Sequence, residues 1–293
     1  MLGEICALSA ALCWAFSVIL FKRSEAISPQ GLNLFKNVVS AVLLSTTMLV
    51  LGEGFDVGRP AADWWRLLVS GVLGIAVADT FIFMALRRLG AGLLAVVDCA
   101  YAPTMVLLSV LLLDEPFGVH FAIGAVLVVG GVLVAVRFSS SGDSANALPR
   151  SQLLAGIACG LFGIVSMAVG VMLVKPVLER SGLVEVTLIR VLAGVVGQLL
   201  WIAVRRDAVA LRPFRPSPVW RTLLPAAVLG SYISMLFWLG GFKWADASVA
   251  SVLNQMSAVF TILLARVILG EHLSLARAFG SAAAVAGAMY ILV

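Results

Sequence analysis

The chain has 293 residues, of which 62% are hydrophobic and 12% charged, against about 45–50% apolar and roughly 25% charged in soluble domains. Too little polar surface is left to face water, which excludes an ordinary soluble protein and makes lipid the solvent. The net charge of +5 sits singly or in pairs at the ends of apolar runs, so headgroup anchoring accounts for it and nucleic-acid binding does not.

A spanning helix takes about 20 mainly apolar residues. Ten such runs follow one another: 3–21, 32–51, 67–86, 91–113, 117–137, 152–174, 183–204, 222–242, 246–269 and 272–293. The first begins with no Lys or Arg ahead of "ICALSAALCWAFSVIL", which predicts a retained span and not a cleaved signal. The runs are too long for strands and lack two-residue alternation, which disfavours a sheet. Cys6, Cys13, Cys99 and Cys159 all fall inside apolar runs without CxxC spacing, so neither a disulfide framework nor a metal site is indicated.

The only Ser-, Gly- and Asn-rich linker lies at mid-chain, 138–150, and it separates two related halves, 1–137 and 151–293. "LVSGVLGIAVADTF" (68–81) aligns with "LPAAVLGSYISMLF" (224–237) at a shift of 156, which also pairs Arg87 with Lys243, Asp98 with Asn254 and Glu115 with Glu271. Lys22 meets Lys175 at 153, and Lys36 meets Arg190 at 154. Five spans per unit is an odd number, so the second unit starts on the side where the first one ended. The expected fold is therefore an all-α integral membrane protein, ten transmembrane helices arranged as two inverted five-helix repeats around a central cavity.

The sequence resembles the ten-helix drug/metabolite transporter superfamily, in its EamA group of bacterial metabolite exporters. The likeness is carried by the duplication, by a basic residue near the start of the second helix of each half (Lys36, Arg190), and by an acid in the turn before the fifth (Glu115, Glu271). Where Pro116 follows the first acid, His272 follows the second. The resemblance implies a multi-pass protein of the inner (plasma) membrane that exports amino acids and related metabolites. Fourteen of the 20 Lys and Arg fall on the face opposite the termini, which places both termini outside.

Asp79 and Asp98 flank the turn "RRLG" at similar depth, about 12 Å below it for a helical hairpin. Carboxylates at that depth face a cavity, find partners or carry a proton, so the pair is a candidate for proton coupling or for binding an ammonium group. The bland alternative is a hydrogen bond to neighbouring backbone. Asn254 is the repeat mate of Asp98 and is favoured over its neighbour Gln255 for the cavity. Tyr101, Trp14, Ser17, Tyr232 and Trp238 complete the candidate substrate site with aromatic walls. Lys22, Lys175, Lys36 and Arg190 are read first as snorkelling anchors, with a gate or a substrate-carboxylate contact as the alternative, and Trp64, Trp65, Trp220 and Trp244 as interfacial belt residues.

The leading function is a secondary transporter working by alternating access, with a small-molecule substrate, protons as a candidate co-ion, no cofactor, and a monomeric state. A drug or other metabolite carrier, in either direction, stays open beside it. There is no Walker A sequence, HExxH or GxSxG, and both histidines sit near helix starts, which makes a membrane-embedded enzyme the weaker reading. No charged ring or filter loop favours a channel.

Overall fold

A computed structural model of the protein describes residues 1–24, 26–113, 149–245, 247–270 and 275–290, with seven further positions between 119 and 131. The fifth span and linker fall almost wholly outside these residues, as do Glu115, Pro116, His120, Glu271 and His272.

The described chain is helical: α1 (Leu2–Lys22), α2 (Pro29–Val50), α3 (Ala61–Gly71), α4 (Ala78–Asp98), α5 (Tyr101–Leu113), α6 (Arg150–Arg180), α7 (Leu183–Arg205), α8 (Trp220–Ala227), α9 (Ser234–Trp244), α10 (Ala247–Leu264) and α11 (Leu275–Tyr290). A π-helical segment, Val72–Val77, joins α3 to α4, and another, Val228–Ile233, joins α8 to α9. Seven helical stretches among the described residues are long and apolar enough to cross a membrane. One of them, Ala61–Asp98, has 38 residues, twice a single span; Gly90 at φ 79 breaks it. The expected third span ends there, and the fourth runs on through α5.

Local chemistry explains the boundaries. Ser28 caps α2 by accepting a hydrogen bond from the Gly31 N–H at 3.2 Å, and Pro29 follows in the first turn. Gly52 leaves α2 at φ 67, and the Glu53 N–H reaches back to the Met48 carbonyl at 3.0 Å, the six-to-one bond of a left-handed helix stop. Arg206, 154 residues later, takes the same left-handed position at φ 52, with the Asp207 N–H on the Ile202 carbonyl at 3.0 Å. Pro103 has no N–H to give the Cys99 carbonyl, and the helix breaks at Cys99 and Ala100. The Asp98 carbonyl at that break accepts instead from Gln255 Nε2 at 3.3 Å.

The halves are interleaved and inverted. α1 packs mainly on α9 and α10, while α6 packs on α3 and α4, and α2 meets α7. The start of α1 lies against the end of α9, where Gly3 abuts Trp244 and Ala245. That end of α9 meets the end of α6 through Lys243, whose ammonium donates to the Leu178 carbonyl at 3.0 Å and to the Ser181 carbonyl. α1 and α6 therefore run in opposite directions. The repeat also reaches single bonds. Ser17 Oγ on α1 donates to the Ala226 carbonyl at 3.0 Å, and Ser70 Oγ on α3 donates to the Gly170 carbonyl at 2.6 Å. Residues 17 and 170, and 70 and 226, are repeat mates, so one helix crossing is made twice with its donor exchanged. Lipid tails supply no hydrophobic drive between helices, and small residues set the close approach. A Cβ on Gly71 would collide with the Arg190 carbonyl of α7.

The two faces close differently. On the N-terminal face, Arg180 pairs with Asp63 at 2.5 Å and Arg59 with Glu185 at 2.7 Å, each joining one half to the other. The repeat mates of Asp63, Arg180 and Glu185 are Val219, Ile27 and Gly31. On that opposite face the closure is aromatic, with Phe35 against Trp220 at 5.3 Å and Phe214 at 5.5 Å. Trp65 and Trp244 are exposed, as belt residues should be, whereas Trp64 and Trp220 turn inward.

Candidate functional site

A cavity of about 90 Å³ lies between the halves. At about 15 Å³ per water on this measure, it has room for roughly six. Of the residues expected there, Trp14, Asp79, Asp98, Tyr101, Trp238 and Asn254 line it, together with Lys36, Arg190, Met167, Met235, Gln255 and Ser257.

Two expected residues lie elsewhere. Ser17 is spent on the helix crossing to Ala226. Tyr232 falls in the second π segment, where the wider turn changes which side a residue faces. Its hydroxyl meets Thr47 Oγ1 at 2.6 Å.

Lys36 and Arg190 correct the anchor reading. Each stands seven residues inside its helix, about 10 Å from the helix start, and each is only 1% exposed, so neither head reaches the interface. Lys36 Nζ contacts Asp79 Oδ2 at 2.6 Å and Asn37 Oδ1 at 3.0 Å. The carboxylate expected to share a proton with Asp98 is thus held by an ammonium. Behind this pair, Asn37 Nδ2 donates to Asn33 Oδ1 at 2.8 Å, and Asn33 Nδ2 donates to the Ile75 carbonyl in the first π segment at 2.8 Å. Ser40 Oγ, also on α2, donates to the Ser231 carbonyl of the second-half π segment Val228–Ile233 at 2.5 Å. Side chains of α2 thereby satisfy backbone groups that the irregular turns leave available.

Arg190 Nε donates to Ser70 Oγ at 2.9 Å, and its guanidinium lies 6.0 Å from the Trp238 ring. Tyr101 Oη, Arg190 Nη1, Asn254 Nδ2 and Gln255 Oε1 are buried without a hydrogen-bond partner among the described residues. All four belong to residues lining this one cavity. Buried polar groups are normally paired, so their convergence marks a place that presents donors and acceptors to something else. The recurrence of a cation at the same depth in both halves is visible in the sequence, where it reads as anchoring and not as part of the cavity. Gln255 was ranked below Asn254, yet it lines the cavity while also bracing the α4–α5 break.

Comparison with known proteins agrees with this architecture. The model of the EamA-like transporter family matches residues 1–137 and again 154–293. The chain is 28% identical over 238 residues to Protein PecM of Dickeya dadantii (strain 3937), covering 80% of this chain and 74% of that protein. A solved crystal structure superposes with a TM-score of 0.70 at 21% identity, over 98% of this chain and 94% of the other, a likeness of fold. With both halves matched, this multi-pass membrane protein belongs to the EamA-like transporter family.

Proposed function

We propose that the protein is a secondary transporter that exports small, amino-acid-sized metabolites across the inner (plasma) membrane by alternating access, as a monomer. The observation that carries this reading is the cavity between inverted halves, where four buried polar atoms lack a partner among the described residues. Its volume suits about six waters' worth of solute, its walls carry Trp14 and Trp238, and both signs of charge reach it through Asp98 and Arg190. The ionic closure on the N-terminal face and the aromatic closure opposite are two barriers that rocking of the halves would open in turn. The Lys and Arg excess on the face opposite the termini supports termini outside.

The test is counterflow of a panel of labelled amino acids in proteoliposomes, with and without a pH gradient. Saturable exchange of a few members is expected. Asp98 and the Lys36–Asp79 pair are the candidates for proton coupling, and removing either carboxylate should then abolish the pH response. No exchange across the panel removes the amino-acid reading.

A further inference from the structure

The two halves are copies, yet their cavity cations are treated differently. In the first half Lys36 is neutralised by Asp79 at 2.6 Å. In the second half Arg190 occupies the position of Lys36, but the position of Asp79 holds Met235. No carboxylate among the described residues pairs with Arg190. Its guanidinium is positioned all the same. Nε is fixed by Ser70 Oγ at 2.9 Å, Ser70 is fixed by the Gly170 carbonyl at 2.6 Å, and Trp238 flanks the group at 6.0 Å. Gly74 of the first π segment leaves space for Nη2, since a Cβ there would come within 3.1 Å of it. Nη1 has no partner among the described residues. Asp79 lies within electrostatic range of Arg190 but does not contact it. A buried cation with no carboxylate in contact is costly, and a guanidinium held through Nε can offer its other edge to a planar, two-oxygen anion.

The geometry points to Arg190 as the anchor for a substrate carboxylate, with the free carboxylate of Asp98 receiving an ammonium, so that the cavity selects small zwitterions in one fixed orientation. This rests on the carrier reading above and adds the substrate class and its polarity. Arg190 stands seven residues into α7 from the N-terminal face, and Asp98 eight residues from the Gly90 turn on the opposite face. Across a core of about 30 Å their backbones are then about 8 Å apart along the membrane normal, and both side chains line the same cavity. The carboxylate points toward the N-terminal face and the ammonium away from it. Zwitterions are recognised without a net charge change in the cavity, because Lys36 and Asp79 already cancel.

The experiment uses purified full-length protein and matched probes: L-valine, L-leucine, L-methionine and L-phenylalanine, each with its amide and its decarboxylated amine. Binding is read by tryptophan fluorescence, since Trp14 and Trp238 line the cavity, and exchange is read in proteoliposomes. Wild type should prefer at least one acid over its amide by about tenfold to a hundredfold, the range of a hydrogen bond between charged groups. Met235→Asp gives the second half the carboxylate that Asp79 gives the first, and it should reduce that preference to within about twofold while Arg190 stays in place. Arg190→Lys, which keeps the charge and loses the fork, tests the same point should Met235→Asp fold poorly. Equal binding of acids and amides by wild type overturns the anchor and leaves the carrier reading standing, and so does an acid preference that survives both variants. Absence of saturable exchange of every acid, amide and amine overturns the anchor and the amino-acid reading together.

Discussion

Replacing Lys36 with Met separates a structural from a dispensable role for the cavity ion pair. The substitution keeps the length of the chain but leaves the Asp79 carboxylate, whose side chain is 5% exposed, without its cation at 2.6 Å. It also strips Asn37 Oδ1 of its donor at 3.0 Å. Breaking one partner of a buried pair costs about 3–5 kcal/mol. Replacing both partners by apolar side chains of similar volume is often close to neutral, and the second half already places Met235 where the first has Asp79. Lys36→Met/Asp79→Met should therefore return to within ~1 kcal/mol of wild type, with a coupling energy of about 5 kcal/mol or more if each single variant costs at least about 3 kcal/mol. Reversible unfolding of the four proteins in mixed micelles, followed by tryptophan fluorescence, measures the cycle. A loss below ~1 kcal/mol for Lys36→Met would refute the reasoning, as would a double variant as unstable as the sum of the single ones.

Other consequences follow from particular contacts. Glu185→Gln should release the loop before α3, because Glu185 holds both the Arg59 guanidinium at 2.7 Å and the Asp56 N–H at 2.9 Å; faster hydrogen exchange over Phe55–Arg59, with the rest of the protein unaltered, is the expected readout. Gly71→Ala should lower stability by about 1–3 kcal/mol through overpacking, since the new methyl collides with the Arg190 carbonyl; an unchanged melting temperature would contradict the close approach of α3 and α7. Ser17→Ala should cost about 1 kcal/mol for one buried hydrogen bond without altering ligand preference, because its hydroxyl serves the Ala226 carbonyl and not the cavity; a changed acid-to-amide ratio would restore Ser17 to the site.

The sequence made the membrane, the repeat and the inversion legible because each follows from long-range regularities: hydropathy, a near-constant shift and an odd span count. Site residues were harder. Asp79, Asp98 and Asn254 stood out because a polar group deep in an apolar run has few harmless explanations. Lys36 and Arg190 did not, because a long cation near a helix end has a cheap route to the headgroups, and nothing in one sequence reveals that Asp79 is 2.6 Å away. Ser17 and Tyr232 were misplaced for a different reason. Helical counting fixes a side chain's angle only on a regular helix, and the π segment at Val228–Ile233 shifts that angle within a single turn. In a sequence, an inward-facing serine fits a helix crossing as well as a cavity wall; here the Ala226 carbonyl decides it.

The two π segments also record the order in which the molecule acquired its features. A π turn is an α-helix with an extra residue in it, and both halves carry theirs at the same place, 72–77 and 228–233, 156 positions apart. If one ancestral unit was copied, that insertion was already in it, along with the glycine that became Gly74 and Gly230 and the cation that became Lys36 and Arg190. Asp79 against Met235, and Asp98 against Asn254, separated only afterwards. A symmetric pair of identical units has no reason to hold a solute one way round. The features both halves share are thus the older inheritance, and the differences between the two sides of the cavity, Asp79 against Met235 and Asp98 against Asn254, are the younger one.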